Sequence, residues 1–297
     1  MRRYIFLFLL QLVLLTGCGV PDRFKFEGEF GKRGTKPGEF SNPLDIDITP
    51  DDDIVVADAG NHRLQVLSPD GTFKMTVGEY GTTGFKIQGI AGCGVSKSSG
   101  EILLCDIKGN KIVKYDKTGT PKQKIVDKMK TPLDAAFDKF GNVFVVMAGQ
   151  AALSKYDPVG KFLGNIGGSG KAAFALPSAV YIRNEKIYVA DSGARRVVKM
   201  TLTGEFEDQF SSKGEFEEMK SPSGIYVDNL DNIFIIDGGE VPLVQLLPDG
   251  KFFSKIGGFG DSPGNFMYPK GIVVRENGEI LVLDNNRSLV VKYKKGS

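Results

Sequence analysis

FSNPLDIDITPDDDIVVADAGNHRLQVLSPDG, residues 40–71, decides the fold. After Pro43 come two alternating apolar runs, an Asp-Ala-Gly-Asn-His-Arg corner at residues 58–63, a third apolar run and a Pro-Asp-Gly turn. Alternation with period two, broken by Asp- and Gly-rich turns, predicts short antiparallel strands near 44–48, 54–57, 63–67 and 72–77. Four such strands cannot bury both their faces alone, so the stretch reads as one unit of an array.

The same register returns along the chain. Asp58 (VVADAGNHR) is matched by Asp106 (LLCDIKGNK), Asp191 (YVADSGARR), Asp237 (FIIDGGEVP) and Asp284 (LVLDNNRSL), with Met147 (FVVMAGQAA) in a sixth copy that has lost the Asp. Successive intervals are 48, 41, 44, 46 and 47 residues. Pro43, Pro132, Pro222 and Pro269 stand fifteen residues before their anchors; Pro177 stands fourteen before, which implies a shorter hairpin, and Ala91 fills that place in the second copy. A period of roughly 40–50 residues built only of short strands is the signature of a β-propeller. The expected fold is therefore all-β: six four-stranded antiparallel blades.

The residues ADAGNHRLQV, together with the linkers FGKRGTKPGEFSNP and IGGFGDSPGNFMYP, resemble the NHL-repeat family. The resemblance covers residues 24–295 and implies the fold more than any activity. Phe24–Gly31 (FKFEGEFG) is similar to the last strand of other units, whereas the final unit ends at Lys295 after three strands. The N-terminal strand should thus complete the C-terminal blade and seal the ring, removing two exposed sheet edges.

Ahead of the repeats, Met1-Arg2-Arg3 and an apolar run from Tyr4 to Leu15 read as a secretory signal, too short for a resident transmembrane helix. Leu15-Thr16-Gly17-Cys18 resembles the bacterial lipobox, which implies acylation of Cys18 and anchoring to a lipid membrane. Gly19 after the Cys implies the outer membrane where a cell has two. The organisation expected is a signal peptide at 1–17, lipidated Cys18 with a tether to residue 23, and one propeller over 24–297. Loss of Arg2 and Arg3 on maturation brings the 38 basic residues level with the 36 acidic ones. An exported chain with no net positive charge is a poor nucleic-acid binder.

Strand alternation places the loops between second and third strands on the same side as the inter-blade linkers. Those loops carry His62, Arg63, Lys111, Arg195, Arg196 and Arg287, the expected ligand contacts. The opposite side holds Asp51, Asp52, Asp53, Asp70, Asp138, Asp157, Asp231 and Asp249. Two readings stand: a disc with one basic rim, or turn residues chosen for turn geometry with cations that pair locally.

The recurrent Asp is read as structural, accepting backbone N–H bonds from the corner that follows it. Asp45 and Asp134, two residues after their Pro, should border the central channel, where two carboxylates could hold a hard cation such as calcium. No other cofactor is expected. His62 is the single histidine, which removes a three-His zinc site and with it the amidating-lyase activity of some NHL relatives. Lactonase-like propellers pair carboxylates with an Asn in the channel, which these positions lack. Cys93 and Cys105 would face each other across a three-residue turn at 98–100 and could form a disulfide in an oxidising compartment. Phe40, Phe174, Phe216 and Phe266 recur in the linkers as inter-blade wedges. The function expected is non-catalytic recognition of a protein or envelope polymer, with a metal-dependent hydrolase or lactonase as the alternative.

Overall fold

The computed structural model describes residues 23–81, 83–211, 218–239 and 242–296. Cys18, the signal segment and Phe216 lie outside them. The described residues form six four-stranded antiparallel sheets, each built from strands consecutive in the chain except one. Blade 1 consists of Pro43–Ile48, Ile54–Asp58, Arg63–Leu67 and Phe73–Val77, within a residue of the expected bounds. The exception is blade 6, where Pro269–Val274, Ile280–Asp284 and Leu289–Lys295 are completed by Phe24–Phe30. That N-terminal strand runs antiparallel to the last one, from Phe24 opposite Lys295 to Phe30 opposite Val290. A second clasp lies on the linker side, where the Asn285 side chain donates to Asn42 Oδ1 and to the Pro43 carbonyl (2.9 and 2.8 Å).

The innermost strands, Pro43–Ile48, Ile90–Val95, Pro132–Phe137, Pro177–Arg183, Pro222–Val227 and Pro269–Val274, ring the axis. The second strand of each blade is buried along its whole length, save Lys186 at the start of blade 4's, because each blade presses a face against both neighbours. Outer strands such as Phe73–Val77 alternate half-buried and exposed residues, as a sheet edge in solvent should.

Linkers are wedged as expected: Phe40, Phe174 and Phe266 are fully or almost fully buried. The Gly that opens each of these linkers explains the recurring Gly…Phe spacing. Gly31, Gly167 and Gly257 have φ of +85°, +68° and +62°, and a Cβ there would lie 2.4, 3.0 and 2.6 Å from the wedge ring. Only glycine supplies both the left-handed backbone and the space.

Two details of the second blade differ from expectation for one cause. Its first hairpin is a residue longer: Val95 pairs with Ile102, whereas Ile48 pairs with Ile54 in blade 1. Ile90 and not Ala91 therefore stands in the proline's place, opposite Asp106. Cys93 pairs with Leu104 and Cys105 with Gly92, so the two thiols point to opposite faces of the sheet and are free. A one-residue slip turns a side chain to the other face. Cys93 packs with Val95 and Leu104, Cys105 with Leu103 and Ile112, and burial pushes both thiols up.

Candidate functional site: the linker face and the channel

The recurrent Asp is the joint on which the linker face is built. Asp58, fully buried, accepts from the Ser41 N–H (2.7 Å), Asn61 Nδ2 (2.8 Å), Arg63 Nε (2.9 Å) and Gln65 Nε2 (3.0 Å). Its counterparts take N–H bonds at the same place: Gly89 to Asp106, Leu176 to Asp191, Ser221 to Asp237 and Met267 to Asp284. The common donors thus lie in the linker before the innermost strand, with the following corner adding bonds in blades 2 and 6, from Gly109, Asn286 and Arg287. In the copy that lost its Asp, the Met147 sulfur takes over, accepting from the Lys130 N–H at 3.1 Å.

This joint consumes most of the basic rim. Arg63, Lys111 and Arg196 reach back to Asp58, Asp106 and Asp191 at 2.9, 3.5 and 3.4 Å. Each also donates to a linker carbonyl: Arg63 to Lys36, Lys111 to Lys86 and Arg196 to Ala173. Arg287 pairs with Glu29 of the closing strand at 2.7 Å and donates to the Asn265 carbonyl. These four are largely buried clamps between linker and corner. Arg195 is exposed, at φ +55°. His62, at φ +54°, lies against Tyr80 with ring centroids 4.5 Å apart. On the opposite side Asp70, Asp138 and Asp157 cap their own hairpins, at Thr72, at Phe140 and Asn142, and at Val159 and Lys161, whereas Asp52 and Asp231 reach neighbouring blades, to Arg275 (3.3 Å) and Asn184 (2.8 Å).

What the linker face offers instead is aromatic. Tyr80 is 63% exposed, Phe259 69% and Tyr268 53%, and Leu176, in the linker between blades 3 and 4, 51%. Tyr80 and Phe259 hold one equivalent position, each in a parallel bridge to the buried residue seven places on, Ile87 or Phe266; Arg33 occupies it in the first linker. Leu176 and Tyr268 immediately precede Pro177 and Pro269, at the channel mouth, and the Lys270 ammonium lies over the Tyr268 ring at 4.2 Å. Sequence reasoning missed these side chains because they vary from copy to copy, while the wedge beneath them repeats.

The channel encloses a cavity of about 380 Å³. Asp45 and Asp134 line it as expected, but each spends both carboxylate oxygens on backbone. Asp45 accepts from the Ile46 N–H (2.8 Å) and from the Cys93 N–H of the next blade (2.9 Å). Asp134 accepts from Ala135 and Val180 in the same way, both at 2.8 Å. Among the described residues no three His, Cys, Asp or Glu side chains converge as a metal site would require. Calcium takes six to eight oxygens; these two staples between innermost strands do not fit it.

Burial raises Asp134 to about 7, against two N–H bonds that lower it, and burial together with the Asp134 charge raises Asp45 well above the ordinary carboxylate range. A raised carboxyl binds a proton in the native state that the unfolded chain has released, so its stabilising contribution is present below about pH 4 and lost as pH rises to about 7. Stability should fall between pH 5 and 7.5 by up to roughly 2 kcal/mol for one such group, read as a falling melting temperature. Asp134→Asn should flatten that slope; an unchanged slope would show that Asp134 titrates normally.

Against known proteins, the NHL repeat model matches residues 40–67. The Drosophila melanogaster protein brain tumor is 32% identical over 78 residues, which is 26% of this chain and 8% of that protein. The mouse E3 ubiquitin-protein ligase TRIM32 is 22% identical over 283 residues, 91% of this chain and 38% of that protein. The chain thus spans well under half the length of these relatives. Among solved structures, a protein of unknown function from Bacteroides thetaiotaomicron superposes with a TM-score of 0.72 at 19% identity, covering 91% of this chain and 76% of that one. A streptogramin B lyase (TM-score 0.61, 15% identity, 92% and 88% covered) and a Xanthomonas campestris gluconolactonase (0.63, 12%, 88% and 88%) share the fold. At such identities the likeness concerns the fold alone.

Proposed function

We propose, from the premise that this chain is an NHL-repeat six-bladed β-propeller, that it works as a non-catalytic recognition module docking a protein partner on its linker face. The observation that carries this reading is the placing of exposed aromatics: Tyr80, Phe85, Phe259 and Tyr268 lie in linkers, against Phe140 alone among the described hairpin turns. Repeat cations are spent on the internal Asp joints, and exposed Tyr80, Phe259, Tyr268 and Leu176 stand on linkers tied down by backbone bridges and hydrogen bonds. Aromatic side chains with few rotatable bonds, held on a stiff frame, are the usual anchors of protein interfaces. In this reading Cys18 carries the acyl chains, and the propeller sits at the bacterial envelope surface, most simply the outer membrane. Closure of blade 6 by the N-terminal strand then keeps that blade nearest the lipid.

The test is retention of partner from detergent-solubilised envelope. Tyr80→Ala with Tyr268→Ala should lower it more than tenfold, while Phe140→Ala with Leu230→Ala, exposed on the hairpin side, should leave it intact. Equal retention by both double variants would contradict the assignment. Binding should respond little to salt, because the cations of the joint are already paired.

A further inference from the structure

The channel has a second end, and its chemistry differs from the carboxylate end. Asp47, Tyr181 and Tyr226 are each the fifth residue of an innermost strand, one layer closer to the hairpin side than Asp45 and Asp134. The two phenol rings pack at 4.5 Å between centroids and a 41° tilt, and burial holds both well into their protonated, hydrogen-bond-donating form. Lys97 reaches in from the next blade's hairpin, donating to Asp47 Oδ1 (2.5 Å) and the Ile48 carbonyl (2.6 Å).

Blade 4 adds a second cation, at the position that Arg275 fills in blade 6, where it is already paired with Asp52 and Glu279. Its first hairpin is a two-residue turn at Asn184 and Glu185, with φ of +48° and +59°, so the innermost strand runs seven residues and ends at Arg183. Arg183 lies two residues after Tyr181 and hence leaves the strand on the same face, just beyond Ile182, the last cavity-lining residue of that strand. Its Nε is buried with no acceptor. A sealed, unpaired guanidinium N–H is costly, and native structures retain such groups where another partner satisfies them. The apolar lining is small: Gly94 and Ala136 are fifth residues, level with the two tyrosines, and Ala179 is a third residue, level with Asp45.

We infer that the hairpin end of the channel is a binding site for a compact organic carboxylate, its anionic group held by Arg183 with Lys97 and the Tyr181 and Tyr226 hydroxyls, and its apolar body lying against Gly94, Ala136 and Ala179. A planar carboxylate matches the fork of a guanidinium. The cavity volume falls at the lower end of small-molecule sites, roughly 300–1,000 Å³. The carboxyls of Asp45 and Asp134 at the far end favour a ligand with one acidic group over a diacid.

Titration calorimetry of the full chain in detergent with benzoate, benzamide and inorganic phosphate tests this. Benzoate should bind saturably and benzamide at least tenfold more weakly. Arg183→Gln should lower benzoate affinity at least tenfold and Tyr226→Phe about threefold, with melting temperatures of the unliganded variants near that of the parent. Lys270→Gln, at the opposite end, should have no effect. No saturable benzoate binding, equal binding of benzamide, phosphate bound in preference to benzoate, or affinity unchanged in Arg183→Gln would each overturn the assignment. Partner retention on the linker face should be unaffected by Arg183→Gln, so failure here and failure of the recognition reading are separable.

Discussion

Asp58→Ala should unfold blade 1 first and cost the protein on the order of 3–5 kcal/mol, the range for removing one partner of a buried ion pair. Four donors converge on this carboxylate: a linker N–H, an Asn, an Arg and a Gln. Truncation leaves all four without it, in a pocket that water does not reach, and an orphaned buried donor costs more than the bond it made. Melting temperature should drop by about 10 °C for a domain of this size. Arg63→Ala should cost less, because the carboxylate keeps three of its partners. The check is a pair of denaturant titrations. If Asp58→Ala costs under 1 kcal/mol, or if Arg63→Ala costs more, the joint is not what holds linker to corner.

Removal of residues 1–30 should have a comparable or greater effect, of a different kind. The final strand would lose its whole ladder from Val290 to Lys295. The same cut removes Phe24, buried edge-on to Phe234 at 6.5 Å, and Phe26, edge-on to Tyr293 at 6.3 Å. It also strips Glu29 from Arg287. An open ring with an unpaired apolar edge pairs with other chains, so the truncated protein should elute as aggregate in size-exclusion chromatography. A synthetic peptide of residues 23–31 should recover part of the folded monomer. A truncated chain that remains monomeric and melts within 3 °C of the parent would show that six blades hold without closure.

How much of this could be seen before the structure follows from what repeats. The Pro, the Asp and the buried Phe recur because each solves a problem posed once per blade: strand entry, linker attachment and inter-blade filling. Their spacing therefore exposed the ring, its blade boundaries and even its closing strand. The Asp joint was legible as structural, and pairing with a cation five residues on was one of the readings left open. The main donors were not: Ser41 and Gly89 lie upstream of the innermost strand, seventeen residues before the carboxylates they bind. A strand argument shows which face Arg63 leaves from, not whether its guanidinium turns to Asp58 or to water. Register in blade 2 turned on one extra hairpin residue, and that residue separated Cys93 from Cys105. The channel's hairpin end was invisible for a deeper reason. Lys97, Arg183 and Tyr226 come from three blades and occupy positions where the repeat sets no preference.

Recognition by the linker aromatics remains the claim on which function rests, and a photo-crosslinking amino acid placed singly at 80, 268, 140 or 230 in intact cells tests it most directly. Covalent capture of one common protein from positions 80 and 268, with none from 140 and 230, is the predicted result. Capture confined to 140 and 230, or the same partner from all four positions, would contradict it.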